Sequence, residues 1–84
     1  MDGTAKWIQT CLSEGRFRLS IHATERASKR FVSENDIRRC GKTAKSIKFQ
    51  PFKKTWRVVG KDCDDEILNV ICTVHEMLLI VTVY

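Results

Sequence analysis

The sequence has a single proline, only four glycines and no repeated or low-complexity segment. Linkers between domains are rich in proline, glycine and small polar residues, so the lack of such a segment predicts one domain over residues 1–84. A chain of this length buries only about 60% of the surface that its unfolded form exposes, which predicts a small core. A two-domain enzyme is therefore excluded.

Long apolar runs are also missing. The longest run, residues 77–84, is interrupted by Thr82 and is far shorter than the roughly 20 residues that cross a bilayer as a helix. Residues 1–6 lack the basic and then apolar pattern of a secretory signal. We therefore expect a cytoplasmic protein without a membrane partner.

Cysteine pairs with metal-ligand spacing are absent. The four cysteines, Cys11, Cys40, Cys63 and Cys72, include no C-x-x-C pair and are widely and irregularly spaced. Secreted disulfide frameworks and structural zinc sites both use closer, regular spacings. The sequence therefore predicts reduced thiols, no metal and no other cofactor.

Basic residues are in excess. Fifteen Lys and Arg residues against ten Asp and Glu residues give a formal net charge of +5. A charge of this density on a short chain favours a polyanionic partner, and nucleic acid is the first candidate.

Two hydrophobic periods divide the chain. Apolar residues at helical spacing, with capping and stop signals, predict helices over residues 4–14, 21–31 and 33–41. Segments rich in β-branched residues, joined by links of hairpin length, predict strands over residues 45–49, 55–60, 66–74 and 77–84. We expect an α+β fold with N-terminal helices packed on one face of a four-stranded antiparallel meander.

The alternation along the last two strands predicts which sheet face is buried. Two rows are wholly apolar and should face the helices: Leu68, Val70, Cys72 and Val74, and then Leu79, Val81 and Val83. The other face is partly polar, with Arg57, Thr73, His75, Thr82 and Tyr84. This partly polar face has two interpretations, a solvated surface or a site.

A cationic helix face is the densest group of chemically active residues. At 100° per residue, His22, Arg26 and Lys29 lie within about 60° of one another, and Arg30 lies slightly beyond. Arginine donates in pairs to phosphate oxygens, and an imidazole transfers protons near neutral pH. The alternative is a solvated face on which Glu25 pairs with Lys29.

A second basic stretch carries interleaved aromatic residues. Its basic members are Lys42, Lys45, Lys48, Lys53, Lys54 and Arg57, and its aromatic members are Phe49, Phe52 and Trp56. This composition suits contacts with a nucleic-acid backbone combined with base stacking. The aromatics alternate with the charges at strand spacing, however, so we interpret them as core anchors.

The motif LSIHATER at residues 19–26, the segment RFVSENDI at residues 30–37 and the terminal IVTVY resemble a family of small bacterial and phage domains of unknown function. That family has an H-A-x-E-R core and a final i-T-x-Y strand. It is usually grouped with RelE/ParE-like toxins and, more loosely, with barnase-like and colicin-type ribonucleases. Phe31 stands where the family more often has glycine.

The resemblance implies a module that either cleaves RNA without a metal, by attack of the 2'-hydroxyl on the adjacent phosphorus, or binds RNA without turnover. It implies that His22 is the acid or base, that Arg26 and Arg30 bind the phosphate, and that Thr82 and Tyr84 orient it. Glu25 would be either a second proton acceptor or, as we favour, the ion-pair partner that holds Arg26 or Arg30. Lys29, Lys48, Lys53, Lys54 and Arg57 are the further binding candidates.

Two classes of function follow. The first is a RelE-like toxin-type domain acting on RNA or the ribosome, with a cognate antitoxin as a further partner. The second is a noncatalytic inhibitor, of phage or toxin-antitoxin type, that binds a host protein or ribonucleoprotein through the same basic face. The sequence specifies neither the RNA target nor an oligomeric state.

Overall fold

A computed structural model describes residues 3–84 of the chain. It has three helices, α1 (Thr4–Glu14), α2 (Ile21–Lys29) and α3 (Glu34–Lys42). It has five strands, β1 (Arg18–Leu19), β2 (Ser46–Gln50), β3 (Thr55–Lys61), β4 (Ile67–His75) and β5 (Met77–Val83). The predicted α+β class is confirmed.

The sheet corrects the predicted four-stranded meander. Its five strands run in the order β1-β5-β4-β3-β2, and the three pairings among β2, β3, β4 and β5 are antiparallel. The short strand β1 pairs in parallel with β5, with Arg18 opposite Leu79 and Leu19 opposite Ile80. A two-residue strand leaves no alternating pattern in the sequence, so no strand was predicted between α1 and α2.

A β-bulge corrects the predicted burial of the last strand. Thr82 lies opposite Ile71 and Ile80 lies opposite Cys72, so Val81 is an extra residue in β5. Such a residue reverses the alternation of side chains beyond it. Leu78 and Ile80 are therefore buried before the bulge and Val83 after it, and Leu79 and Val81 are not the buried row.

Glycine positions set the ends and contacts of α1 and α3. Gly15 ends α1 with a φ of 77°, a left-handed conformation that glycine adopts at little cost. Gly41, which resembles a stop signal for α3, instead lies inside this helix. A Cβ at Gly41 would lie 2.5 Å from the Cβ of Leu12, so its missing side chain lets α1 and α3 approach closely.

Helix α2 ends two residues earlier than predicted. Arg30 caps it, and Phe31 follows with a φ of 56°, where side chains are strained. The chain then enters α3 through a capping box, in which Ser33 and Asp36 each accept from the other's backbone N–H.

All three helices contribute to one core on one face of the sheet. Helix α3 packs against β3 and β4, α2 packs against β5 and β1, and α1 packs against α3. The largest fully buried side chains are Ile8, Leu12, Ile37, Leu78, Ile80, Val58, Val70 and Val83. No helix of residues 3–84 is both long and apolar enough to cross a membrane.

The aromatic residues of the second basic stretch do not share one environment, which corrects their interpretation as core anchors. Trp56 packs against the core. The centroids of the Phe49 and Trp56 rings are 5.3 Å apart. Phe49 is nevertheless 48% exposed, and Phe52 is fully exposed at the β2–β3 turn.

Candidate functional site

The face of the sheet opposite the helices, which we call the open face, forms a cavity of about 530 Å³. One side is the start of α2, the floor is the outer face of β4 and β5, and the other side is the β2–β3 hairpin. The lining residues are Ser20, His22, Gln50, Lys53, Thr55, Ile71, Val81, Thr82 and Tyr84. Its volume falls within the range of small-molecule sites, about 300–1,000 Å³.

Ser20 fixes His22 at the rim of this cavity. The Ser20 hydroxyl caps α2 by accepting from the N–H of Ala23 at 3.0 Å. It also donates to the carbonyl oxygen of Val81 at 3.3 Å, and the Ser20 N–H donates to the carbonyl oxygen of Ile80 at 2.9 Å. The bulge residue and the helix cap therefore hold the first turn of α2, with His22, against β5.

The bulge also sets the position of Thr82. Without the extra residue Val81, Thr82 would point to the core, as Leu78 and Ile80 do. With it, Thr82 shares the outer face with its cross-strand partner Ile71. Tyr84 follows on the same face and exchanges both backbone hydrogen bonds with Asn69, at 2.8 and 2.9 Å.

Arg57 lies beside this group on the same face. Its Nε donates to the Oδ1 of Asn69 at 3.0 Å, and its guanidinium carbon lies 5.9 Å from the centre of the Tyr84 ring. Lys48 is its cross-strand partner on β2. Two cations directly opposite each other repel, so this pair costs stability unless an anion binds between them.

No acidic residue of the described chain lines the cavity. The donors that converge there are an imidazole, an ammonium group and the hydroxyls of serine, threonine and tyrosine. These groups complement the oxygens of a phosphate, and His22 adds a side chain that can exchange a proton.

The predicted site residues fall into two sets. His22, Lys53, Thr82 and Tyr84 line the cavity, and Arg57 contacts Tyr84. Lys54 is exposed in the adjacent hairpin turn and Lys48 is exposed on β2. The structure does not bring the remaining four into the cavity, namely Glu25, Arg26, Lys29 and Arg30, which are exposed further along the chain.

Glu25 and Lys29 form no ion pair within residues 3–84, whereas Arg16 and Glu14 form one at 2.9 Å. The predicted pairing of Glu25 with Lys29 is therefore not found, but both side chains are exposed, as the alternative of a solvated helix face predicts. Arg26 follows His22 by one helical turn, about 6 Å along α2, and leaves its guanidinium in solvent.

Several lining residues were missed by the sequence reasoning. Gln50 and Thr55 lie at the two ends of the hairpin, and the Thr55 hydroxyl donates to the Gln50 Oε1 at 3.1 Å. Gln50 and Thr55 share the outer face with Lys48 and Arg57, whereas Val58 of β3 is buried on the other face. The alternation of side chains along β2 and β3 therefore indicated on which face Gln50 and Thr55 lie. Val81 offered no such signal, because a bulge has no sequence pattern of its own here.

The four cysteines do not line the cavity. Burial raises the pKa of the Cys40 and Cys72 thiols to about 12, and burial also raises the pKa of the Cys11 thiol. A hydrogen bond with Asp36 raises the pKa of the exposed Cys63 thiol. All four thiols are therefore protonated at neutral pH, and none is an activated nucleophile.

Metal-ligand geometry is likewise missing from the part of the chain that the structure describes. No three side chains of histidine, cysteine, aspartate or glutamate lie close enough there to hold one ion.

One family model matches residues 19–84, and its description is "Domain of unknown function (DUF4258)". No curated protein and no solved structure matches the chain. The match begins in β1 and includes every residue that lines the cavity. The chain therefore belongs to this family of domains of unknown function.

Proposed function

We propose that this domain is a RelE-like toxin-type domain that binds RNA on the open face of its sheet and cleaves it without a metal. The observation that carries the proposal is the cavity in which His22, Lys53, Thr82 and Tyr84 converge. The partners proposed with this function are RNA or the ribosome, and a cognate antitoxin.

The charge of the open face supports RNA as the ligand. Lys48 and Arg57 oppose each other across β2 and β3, Lys53 lines the cavity, and no lining residue of the described chain is acidic. A run of uncompensated cations beside polar donors is suited to a phosphate backbone. Arg26 and Lys29, exposed further along α2, extend the positive surface away from the cavity.

The groups in the cavity support transesterification. The oxygen of the 2'-hydroxyl forms a bond to the adjacent phosphorus and gives its proton to His22. The bond from phosphorus to the 5'-oxygen breaks, and this oxygen takes a proton from the hydroxyl of Tyr84. Lys53 and Arg57 stabilise the charge that builds on the phosphoryl oxygens. The products are a 2',3'-cyclic phosphate and a 5'-hydroxyl end.

The direct test is cleavage of a single-stranded oligoribonucleotide by the purified protein in EDTA, read on a denaturing gel. We expect cleavage by the wild type, and a loss of at least about 100-fold in rate for His22→Gln, the usual contribution of general acid-base catalysis. The matched control is His75→Gln, because His75 is exposed and lies outside the cavity. The corresponding DNA strand lacks the nucleophile and should stay intact.

Two results would overturn the catalytic proposal. One is the absence of cleavage by a folded wild type, and the other is a rate that His22→Gln leaves unchanged.

A noncatalytic inhibitor is the second candidate, and two exposed apolar side chains favour it. Ile21 is 82% exposed and Phe31 is 92% exposed, at opposite ends of the basic helix α2. Apolar anchors next to a charged rim are typical of protein-binding surfaces. This candidate predicts that His22→Gln retains biological activity, whereas replacement of Ile21 or Phe31 abolishes it.

A further inference from the structure

Phe52 occupies the tip of the β2–β3 hairpin with its side chain fully exposed. A single exposed apolar residue is common on protein surfaces and does not by itself indicate a binding site. Phe52 differs because of three features of its surroundings: a turn that fixes it, a recess that joins it to the cavity, and two lysines that follow it.

The turn is held by hydrogen bonds within the hairpin. The N–H of Lys53 donates to the carbonyl oxygen of Gln50 at 3.2 Å, and the N–H of Lys54 donates to that of Pro51 at 3.3 Å. Pro51 has a restricted φ, and Lys54 has a left-handed φ of 54°. The backbone of the turn is therefore held by hydrogen bonds, and the Phe52 side chain extends from it into solvent.

A shallow recess connects Phe52 to the candidate site. Gln50, Pro51, Phe52 and Lys53 line a depression of about 190 Å³. Gln50 and Lys53 also line the large cavity that contains His22. A strand of nucleic acid that leaves the cavity along the hairpin would therefore reach the Phe52 ring.

We propose that Phe52 stacks on an unpaired base of single-stranded RNA, while Lys53 and Lys54 contact the neighbouring phosphates. This inference rests on the proposed function and specifies its substrate as single-stranded. The bases of a duplex are stacked on each other and are not free to lie on a protein ring. Aromatic side chains beside a basic groove are the usual platforms for single strands.

A protein partner fits this tip less well. Protein-binding hot spots lie in apolar patches from which surrounding contacts exclude water. Phe52 has only Pro51 as an apolar neighbour in the turn, and two charged side chains follow it. One planar ring among cations suits a base and its phosphates.

The test is binding of a single-stranded 2'-O-methyl oligonucleotide, which cannot be cleaved through its 2'-oxygen, measured by fluorescence anisotropy. We expect Phe52→Ala to bind about tenfold more weakly than the wild type, which is the effect of losing one stacked base. Phe52→Leu should lose almost as much because it keeps an apolar side chain but no ring, and Phe52→Trp should retain binding. The matched control is Trp7→Ala, which removes another exposed aromatic side chain, on α1 and outside the cavity.

Two further readouts separate stacking from charge. An abasic strand of the same length should bind equally to the wild type and to Phe52→Ala. The slope of log affinity against log salt should be unchanged in Phe52→Ala, whereas Lys53→Ala should lower its magnitude by about 0.7, the value for one phosphate contact on a single strand.

The outcomes distinguish the two proposals. If the wild type binds no RNA, the proposed function fails and the stacking role fails with it. If the wild type binds but Phe52→Ala binds equally well, only the stacking role fails. Equal binding by Phe52→Leu and the wild type would also overturn it, since apolar surface without a ring would then suffice, as in a protein contact.

Discussion

The guanidinium carbon of Arg57 lies 5.9 Å from the centre of the Tyr84 ring, and its Nε donates to Asn69 at 3.0 Å. Tyr84 is in turn paired with Asn69 through both backbone hydrogen bonds. The three residues therefore fix one cation on the open face of the sheet, beside the cavity. A cation over an exposed ring contributes about 0.5–1 kcal/mol, so this arrangement matters more for position than for stability.

Replacing Arg57 tests whether this cation contacts a phosphate. We expect Arg57→Ala to weaken binding of single-stranded RNA about tenfold at low salt and to lower the magnitude of the salt slope by about 0.7. Arg16→Ala is the matched control, because Arg16 pairs with Glu14 and lies outside the cavity. An unchanged salt slope in Arg57→Ala would show that Arg57 makes no phosphate contact.

The cap of α2 links stability to the site, and Ser33 provides a comparison within the same chain. Ser20→Ala and Ser33→Ala each remove an N-cap and should each cost about 1 kcal/mol in the free energy of unfolding, measured in urea. Only Ser20 also binds the bulge residue Val81 and holds the turn that carries His22. Ser20→Ala should therefore slow RNA cleavage under conditions where both variants are folded, and Ser33→Ala should not. Equal rates of RNA cleavage in the two variants would show that the cap of α2 does not affect the site.

The left-handed conformation of Phe31 predicts a stabilising substitution. A side chain at a φ of 56° costs about 1–2 kcal/mol, and glycine removes this cost at the expense of a more flexible unfolded chain. Because Phe31 is 92% exposed, little packing is lost with the ring. We expect Phe31→Gly to raise the free energy of unfolding by about 0.5–1 kcal/mol, measured by urea titration. Phe31→Ala keeps the strain and should be less stable than Phe31→Gly, and the reverse order would contradict this interpretation.

Asp36 predicts a dependence of stability on pH. The backbone N–H of Ser33 donates to its carboxylate and lowers the pKa of that carboxyl, and the N–H of Cys63 acts in the same direction. A carboxyl with a lowered pKa in the folded state stabilises the fold above the ordinary pKa of about 4, and this stabilisation is lost as the pH falls through the lower, folded value. Asp36→Asn should therefore lower the free energy of unfolding at pH 7 by about 0.5 kcal/mol, since solvent screens this partly exposed carboxylate, and by progressively less below pH 4.

The matched control for Asp36 is Asp64→Asn, because the Asp64 side chain makes no hydrogen bond or ion pair within residues 3–84. Urea unfolding at pH 7, 5 and 3 measures both variants. A cost of Asp36→Asn that stays constant with pH would rule out the carboxylate as its source.

The helices were predictable because their signals are local. Ser20 and Ser33 cap α2 and α3, and apolar residues at helical spacing set the buried stripes, so the sequence indicates these elements without knowledge of the sheet. The ends of the helices were less predictable where tertiary packing determines them. Gly41 has the character of a stop signal, yet α3 continues through it because α1 packs on it.

The sheet was predictable only in part, for a different reason. Parallel pairing of β1 with β5 joins residues about 60 positions apart, and nothing local to Arg18 or Leu19 specifies it. The bulge at Val81 likewise has no signal in the sequence, although it places Thr82 on the face that carries the cavity. The cationic helix face indicated His22 and the partly polar sheet face indicated Tyr84, whereas their convergence with Lys53 follows from the register of the sheet.

The central claim is that the open face of the sheet binds RNA, and amide chemical-shift mapping tests it most directly. The measurement is titration of isotope-labelled protein with the noncleavable single-stranded 2'-O-methyl oligonucleotide. Binding at the cavity predicts shifts that concentrate in residues 20–24, 50–55 and 82–84, with little change in α1. Shifts confined to α1 and α3, or none at saturating RNA, would contradict the claim.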